Sequence, residues 1–396
     1  MSILDKIKAE AEKKNNLTET QPEDYIEVSK QQIIDFDCNS WKKGRGWEIP
    51  EYPMFNEAME GLETGMFLVA GESNGGKSAW LLDMILKYSM NEKNKLYGIY
   101  FSLDDTADKL IPRILSANAK LDCNEESGVP ISVFSKPKRY LDKLNEIRED
   151  TDVSREDEAR VNYSYLFKDI TSGNDTVNFD NVGDSAPSYE EFPDSVRAKT
   201  YQWYKDNVVK NFKIVDGTKI HNGEQLFDYC RKIKEYIRAE RGLDWNIIVG
   251  IDSLSDITWE EESFSTDKEM NDYTSRIIKQ WAVEDLECPI FGSIHLRKID
   301  QRKRPTIADV KESGRWVYEA NIVFLLHNEV SRSGVLSNIC VQDGDTIIPV
   351  IEVLWAKNKQ SSYKGRTYFM FWTNYSKIKE VEEYHKNSFD GILNGV

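Results

Sequence analysis

Cysteine is scarce, and what there is suits neither of its usual structural roles. The 396 residues hold 5, Cys38, Cys123, Cys230, Cys288 and Cys340, widely spaced and with no Cys-x-x-Cys pair. That argues against a disulfide framework and against a zinc ribbon. Long apolar runs are missing too: none approaches the ~18 residues that crossing a bilayer takes. The first residues lack the basic start, apolar middle and small-residue cleavage site of a secretion signal. A cytoplasmic location is the expectation. No internal repeat or collagen-like bias is present. Positive charge is in deficit, with a net charge of −16 and a pI near 4.9. A general nucleic-acid coat is therefore disfavoured, because phosphate binding needs lysine and arginine wherever the backbone lies.

What is present is enough for a globular core, at 40% hydrophobic residues. Its charge is unevenly spread. Leu141 to Thr200 holds 15 acidic and 7 basic residues, whereas "LRKIDQRKRP", Leu296 to Pro305, holds five basic residues and one acid. A local positive loop thus sits on an acidic body. Ser2 to Lys14 reads as a short amphipathic helix with Ile3, Leu4, Ile7 and Ala11 on one side. From Met66 onward, "MFLVA", "LYGIYFSL", "FKIV", "NIIVGID", "PIFGSIH" and "ANIVFLL" alternate with helix-length segments. Strands without polar alternation are buried on both faces, the habit of parallel sheets covered by helices. "VIEVLWAK" and "RTYFMFW" then read as a hairpin at the sheet's edge, and Asp122 to about Val196 as a polar, acidic insertion.

Between the first strand and the helix "SAWLLDMILKY" lies Gly71-Glu72-Ser73-Asn74-Gly75-Gly76-Lys77-Ser78. It fits G-x-x-x-x-G-K-[ST], the phosphate-binding loop. Glycines let backbone N–H groups curl around phosphates, Lys77 reaches the β and γ oxygens, and the Ser78 hydroxyl ligates Mg2+. The strand-loop-helix context points a helix N-terminus at the anion. ATP with Mg2+ is the expected cofactor pair. "NIIVGID" ends in Asp252, a second magnesium group acting through water, and "YGIYFSLDDT" ends in Asp104, expected beside the loop in a parallel sheet and the candidate base that orients the attacking water.

In this order and spacing the motifs resemble the DnaB-type replicative helicases, members of the RecA-like ATPases that include the helicase halves of phage primase-helicases. The resemblance covers about Gly46 to Lys379 outside the insertion. It rests on "GLETGMFLVAGESNGGKS", "YFSLDD", "IIVGIDSL", "PIFGSIHLRK", "RPTIADVKESGRWVYEANIVFLL" and "LWAKNKQ". It implies an α/β fold: a RecA-like core with a mainly parallel central β-sheet flanked by helices and an edge β-hairpin near the C-terminus. It also implies residues 1–45 as an N-terminal arm, 46–385 as the ATPase domain carrying the acidic insertion at about 122–196, and 386–396 as a C-terminal tail.

Carried over by the resemblance, Asp104 stands where the family has its catalytic glutamate, and His295 takes the sensor position that couples the γ-phosphate to the DNA loops. Lys311, Glu312 and Gly314 match the stretch that holds single-stranded DNA in a ring's channel; Arg297, Lys298, Arg302, Lys303 and Arg304 belong to a loop facing it. Lys357 and Lys359 match the pair that reaches into the neighbouring subunit's ATP site, and Tyr375 matches the aromatic that packs on adenine. Each has a plain structural alternative: a core histidine, a solvated loop, exposed lysines, a hairpin tyrosine.

The implied function is an ATP-dependent replicative DNA helicase, a homo-hexameric ring translocating on single-stranded DNA and unwinding duplex. Primase, polymerase or a loader would be further partners, and the host cytoplasm its location if it is phage-encoded. A RecA-type recombinase forming filaments and a non-translocating ATP-binding assembly protein are the alternatives. Two departures bear on them. Asp104 is one methylene shorter than glutamate, and Lys359 replaces an arginine whose fork grips phosphate in two places. Asp105 and Arg366 are the substitutes at hand.

Overall fold

The computed structural model describes residues 32–34, 37, 46–119, 129–149, 165–166, 190, 192–297, 303–310, 314–329, 338–343 and 346–394. A compact body spans Trp47–Val396, and Met1–Gly46 forms a separate unit. The helix expected over Ser2 to Lys14 lies outside the described residues.

In chain order the body runs α1 (Pro53–Met59), β1 (Gly65–Gly71), α2 (Lys77–Met90), β2 (Leu96–Ser102), α3 (Ala107–Asn118), α4 (Pro137–Glu149), α5 (Val196–Trp203), β3 (Phe212–Asp216), α6 (Gly223–Arg241), β4 (Asn246–Asp252), α7 (Asp267–Gln280), β5 (Pro289–His295), α8 (Gly314–Glu319), β6 (Ile322–His327), β7 (Cys340–Asp343), β8 (Thr346–Asn358), β9 (Arg366–Trp372), β10 (Lys377–Glu380) and α9 (Glu383–Asn394). The sheet has ten strands in the order β10-β9-β8-β6-β1-β5-β4-β2-β3, with β7 paired to β8. β6, β1, β5, β4, β2 and β3 are mutually parallel; β8, β9, β10 and β7 join antiparallel. This is the α/β architecture expected. The β8–β9 hairpin forms too, and β10 extends the edge beyond it.

Five of the six parallel strands are almost wholly buried because both faces are covered, β3 at the edge exposing Lys213, and alternate residues feed two cores. Along β1, Phe67 and Val69 pack with α1 and α2, whereas Met66, Leu68 and Ala70 pack against the other layer. The first core is rich in aromatic rings: Phe55 lies 5.1 Å from Trp355, and Phe324 4.8 Å from Trp355, centroid to centroid. Helix starts follow local chemistry. Asn222 Oδ1 accepts from the N–H groups of Glu224 and Gln225 to begin α6, and Thr266 accepts from Glu269 to begin α7. The described part of the insertion holds a small core of its own. Phe134, Tyr140, Leu141 and Leu144 gather with Tyr165 and Leu166 into a separate cluster that also takes Leu115 from α3.

Parallel strands deliver all their C-terminal ends to one side. Gly71 is the register partner of His295, and Ser102 of Asp252. That edge carries the candidate site.

Candidate functional site

The loop after β1 turns through left-handed residues, Asn74 at φ 62° and Gly76 at φ 91°, before α2 starts at Lys77. Glycine is required at Gly76, where a Cβ would sit 2.8 Å from Ile351 Cδ1. A Cβ on Gly71 would meet Lys77 Cγ at 2.9 Å, so the lysine stem lies directly on that glycine. No side chain caps α2, which leaves its first N–H groups turned to the loop. Lys77 is buried, and its ammonium donates to the Glu72 carbonyl at 3.0 Å. Burial lowers its pKa, while Asp252, Asp104 and Glu72 pull the other way. A buried cation over a glycine cradle, faced by carboxylates, fits a triphosphate with a divalent ion.

Sheet order revises one detail of the sequence reading. The strand ending at Asp104 was expected beside the loop, yet β5 and β4 lie between β1 and β2. At about 4.8 Å per strand, Asp252 stands two strands from the loop and Asp104 three. The interval leaves room for phosphates and metal between the lysine and the acids.

Asp252 is buried and held at both oxygens. The Tyr100 hydroxyl donates to Oδ2 at 3.0 Å, and the Ser293 hydroxyl donates to Oδ1. The Tyr100 oxygen also lies 3.5 Å from the Ser78 carbonyl, so one phenol spans the helix start and the acid. Burial and the adjacent Asp252 raise the Tyr100 pKa well above its ordinary 10.0 and keep it a donor. Neither Tyr100 nor Ser293 was singled out from sequence. The available signal was a hydroxyl inside an otherwise apolar strand, which must find a partner when buried.

Asp104 is exposed, and its carboxylate accepts no hydrogen bond among the described residues. Asp105, by contrast, is paired with Lys109 at 2.7 Å and Arg113 at 3.7 Å. Arg366 is equally committed, donating to the buried Glu352 at 2.9 Å. Both substitutes considered from sequence are thus occupied within the chain.

His295 ends β5, half-buried beside Gly71. The basic loop starts immediately after it and returns where Leu296 pairs with Val310, closed by the Arg297 N–H on the Asp309 carbonyl at 2.8 Å. Lys303 and Gly314 are exposed, whereas Lys298, Arg302, Lys311 and Glu312 lie outside the described residues. Arg304 donates to Glu352 at 2.9 Å and sits 3.7 Å from Glu329. It anchors the root of the loop on β8.

Lys357 and Lys359 fall at the opposite end of the sheet. Val323, near the start of β6, pairs with Lys357, while Leu326 near its end pairs with Gly71. About 10 Å of strand separates the two levels. Tyr375 lies in the β9–β10 turn on the loop side; burial raises the pKa values of Tyr140 and Tyr165 of the insertion, and the nearby Tyr375 adds to both. The same turn is tied to the insertion by the Ile131 N–H on the Asn374 carbonyl at 3.2 Å.

A glycine-rich loop on β1, an acid on β4 and β5 placed between them give an α/β fold of the RecA-like class. Residues 195–380 match the family model described as DnaB-like helicase C terminal domain, and over that segment the chain is similar to that family, as its motifs indicated. The matched segment holds Asp252, His295, Lys357, Lys359 and Tyr375; the phosphate loop and Asp104 precede it. Two solved structures share the fold. One, described as an ATPase domain, superposes with a TM-score of 0.60 at 14% identity over 89% of this chain and 98% of that one. A DnaB-like replicative helicase described with its interactions with primase gives 0.58 at 15% identity over 94% and 71%. No curated protein matches the sequence.

Proposed function

We propose that this chain is the motor of an ATP-dependent replicative DNA helicase, assembled as a homo-hexameric ring that moves along single-stranded DNA. The split of its ATP-handling residues between the two ends of one sheet carries this reading. The loop, Asp252, Asp104 and His295 share one end; Lys357 and Lys359 occupy the other and face away from their own loop. Such a chain completes a site only with a neighbour. Lys77 would neutralise phosphate, Ser78 and Asp252 would hold Mg2+, Asp104 would orient water, and Tyr375 would meet the base beside the insertion. The bound metal supplies charge neutralisation at the phosphates. Lys359 from the adjacent subunit would supply the charge that an arginine finger gives elsewhere.

The basic loop rooted at Arg304 and the stretch through Gly314 would carry DNA backbone, with His295 at the junction of loop and nucleotide. Residues 46–385 form the ATPase domain in this reading, 1–45 an arm and 386–396 a tail. Primase, a polymerase or a loader are the further partners that fit such a motor. Among the described residues no helix is long and apolar enough to cross a membrane, which accords with work in the cytoplasm. Displacement of a labelled strand from a forked duplex tests the reading: ATP-driven unwinding is expected from the natural chain, none from Lys77→Ala, and sixfold rings in micrographs. Filaments, or hydrolysis without displacement, would refute it.

A further inference from the structure

Three lysines, Lys279 of α7, Lys357 of β8 and Lys359 just beyond it, converge on the C-terminal turn of α8 and the short segment joining it to β6. Lys357 donates to the Val317 carbonyl at 2.5 Å and the Tyr318 carbonyl at 2.8 Å. Lys359 holds its ammonium 5.9 Å from the Tyr318 ring centroid, while its backbone N–H bonds the Asn321 carbonyl at 3.0 Å. Lys279, at the end of α7, donates to Asn321 Oδ1. Burial lowers the pKa of Lys279, helped by Lys359, and burial with Lys359 and Lys279 brings Lys357 down to about 8. Glu319, the acid that offsets both, is already bound to Arg315 at 2.7 Å. Like charges crowded together repel one another, and an anion placed against them would relieve that repulsion.

The three are not equivalent. Lys357 spends two of its three N–H groups on the last carbonyls of α8, acceptors that a helix end leaves without intrahelical partners. Lys359 is exposed over the Tyr318 ring with the Lys357 ammonium beside it, and Lys279 is half-buried on the Asn321 amide oxygen. We propose that Lys279 joins Lys359 as a phosphate-facing residue presented to the neighbouring subunit's ATP, and that Lys357 is a positioning residue fixing both through the C-terminal turn of α8. This rests on the intersubunit reading above. Because α8 begins at Gly314, Lys357 also ties the stretch assigned to DNA to the lysines that meet the phosphates.

The test uses mixtures of full-length variants. Lys279→Gln should lower turnover of the assembled protein about tenfold or more, a modest share of the 10³ to 10⁵ that a full finger supplies. Nucleotide binding at its own loop, read with a fluorescent ATP analogue on diluted subunits, should be unchanged, and Lys279→Arg should keep turnover. Mixed with Lys77→Ala subunits, Lys279→Gln should regain activity, since intact loops then meet intact lysines. Lys357→Met should lower turnover and also speed amide exchange in α8, which Lys279→Gln should leave slow. Undiminished turnover in Lys279→Gln, or a loss that mixing does not repair, overturns the assignment. If Lys359→Ala is repaired in the same mixture while Lys279→Gln is not, only the third lysine falls. If neither is repaired, the intersubunit reading falls with it.

Discussion

Tyr100→Phe isolates one oxygen at the centre of the proposed metal site. The ring would stay where it is, since Gly250 has no Cβ and one built there would lie 3.0 Å from Tyr100 Cδ2. What goes is the donor to Asp252 Oδ2 at 3.0 Å, leaving Ser293 alone on the other oxygen. A hydrogen bond to an ionised acceptor contributes about 1.5–3 kcal/mol, and losing a group that orients a metal ligand costs about 10- to 100-fold in affinity. With Ser293 still in place the low end applies: roughly a tenfold rise in the magnesium needed for half-saturation. Ser293→Ala with Tyr100→Phe should approach a hundredfold. The assay is binding of a fluorescent ATP analogue titrated with MgCl2. Binding without magnesium should not change, because it depends on Lys77 and the loop. Urea unfolding should show a loss of about 1–3 kcal/mol with an unaltered slope. Magnesium dependence within twofold of the natural chain in both variants would refute the argument that these hydroxyls hold Asp252 for the ion.

Lys77→Ala should abolish hydrolysis measured with single-stranded DNA present, since the charge on the phosphates is lost; near-natural turnover would remove the loop from the chemistry. Asp104→Asn should bind nucleotide and turn over slowly, while Asp104→Glu should match or exceed the parent; full activity in Asp104→Asn would exclude it as the base. Arg302→Ala with Lys303→Ala should weaken DNA binding evenly across sequences and reduce its salt slope by about 1 per lost phosphate contact. Arg304→Gln should leave that slope alone but destabilise the fold by about 3 kcal/mol, because it strips a partner from buried Glu352. Burial pushes the Glu380 carboxyl from 4.5 up to about 7, against the Met54 and Phe55 N–H groups it accepts from. Between those values the folded chain keeps a proton that the unfolded chain has released, so stability should fall as pH rises from about 4.5 to about 7 and then level off. Glu380→Gln should flatten that change, worth about 1–3 kcal/mol, in urea midpoints taken at pH 5 and pH 8.

Sequence alone determined the parts whose signals are local. Six largely apolar runs marked β1 to β6, because a strand covered on both faces has little reason to alternate. Gly71 to Ser78 announced its loop because backbone that wraps an anion needs glycine and one lysine at fixed spacing. Asp252 and His295 were legible as polar ends of those runs. Tertiary structure decided what depends on partners far along the chain. The placing of β5 between β1 and β4 cannot be read from any window, since each strand records only its own burial. Tyr100 and Ser293 reach Asp252 across 152 and 41 residues, so nothing near them in sequence marks their role. The pairing of Arg304 with Glu352 spans 48 residues and turns one cation of a basic run into an anchor. The insertion's cluster around Tyr140 and Leu144 was hidden among charges, because few apolar residues suffice when the faces of α3 and α5 complete their core. Local patterns record what each residue must be near, water or core; only the folded sheet decides which residues those neighbours are.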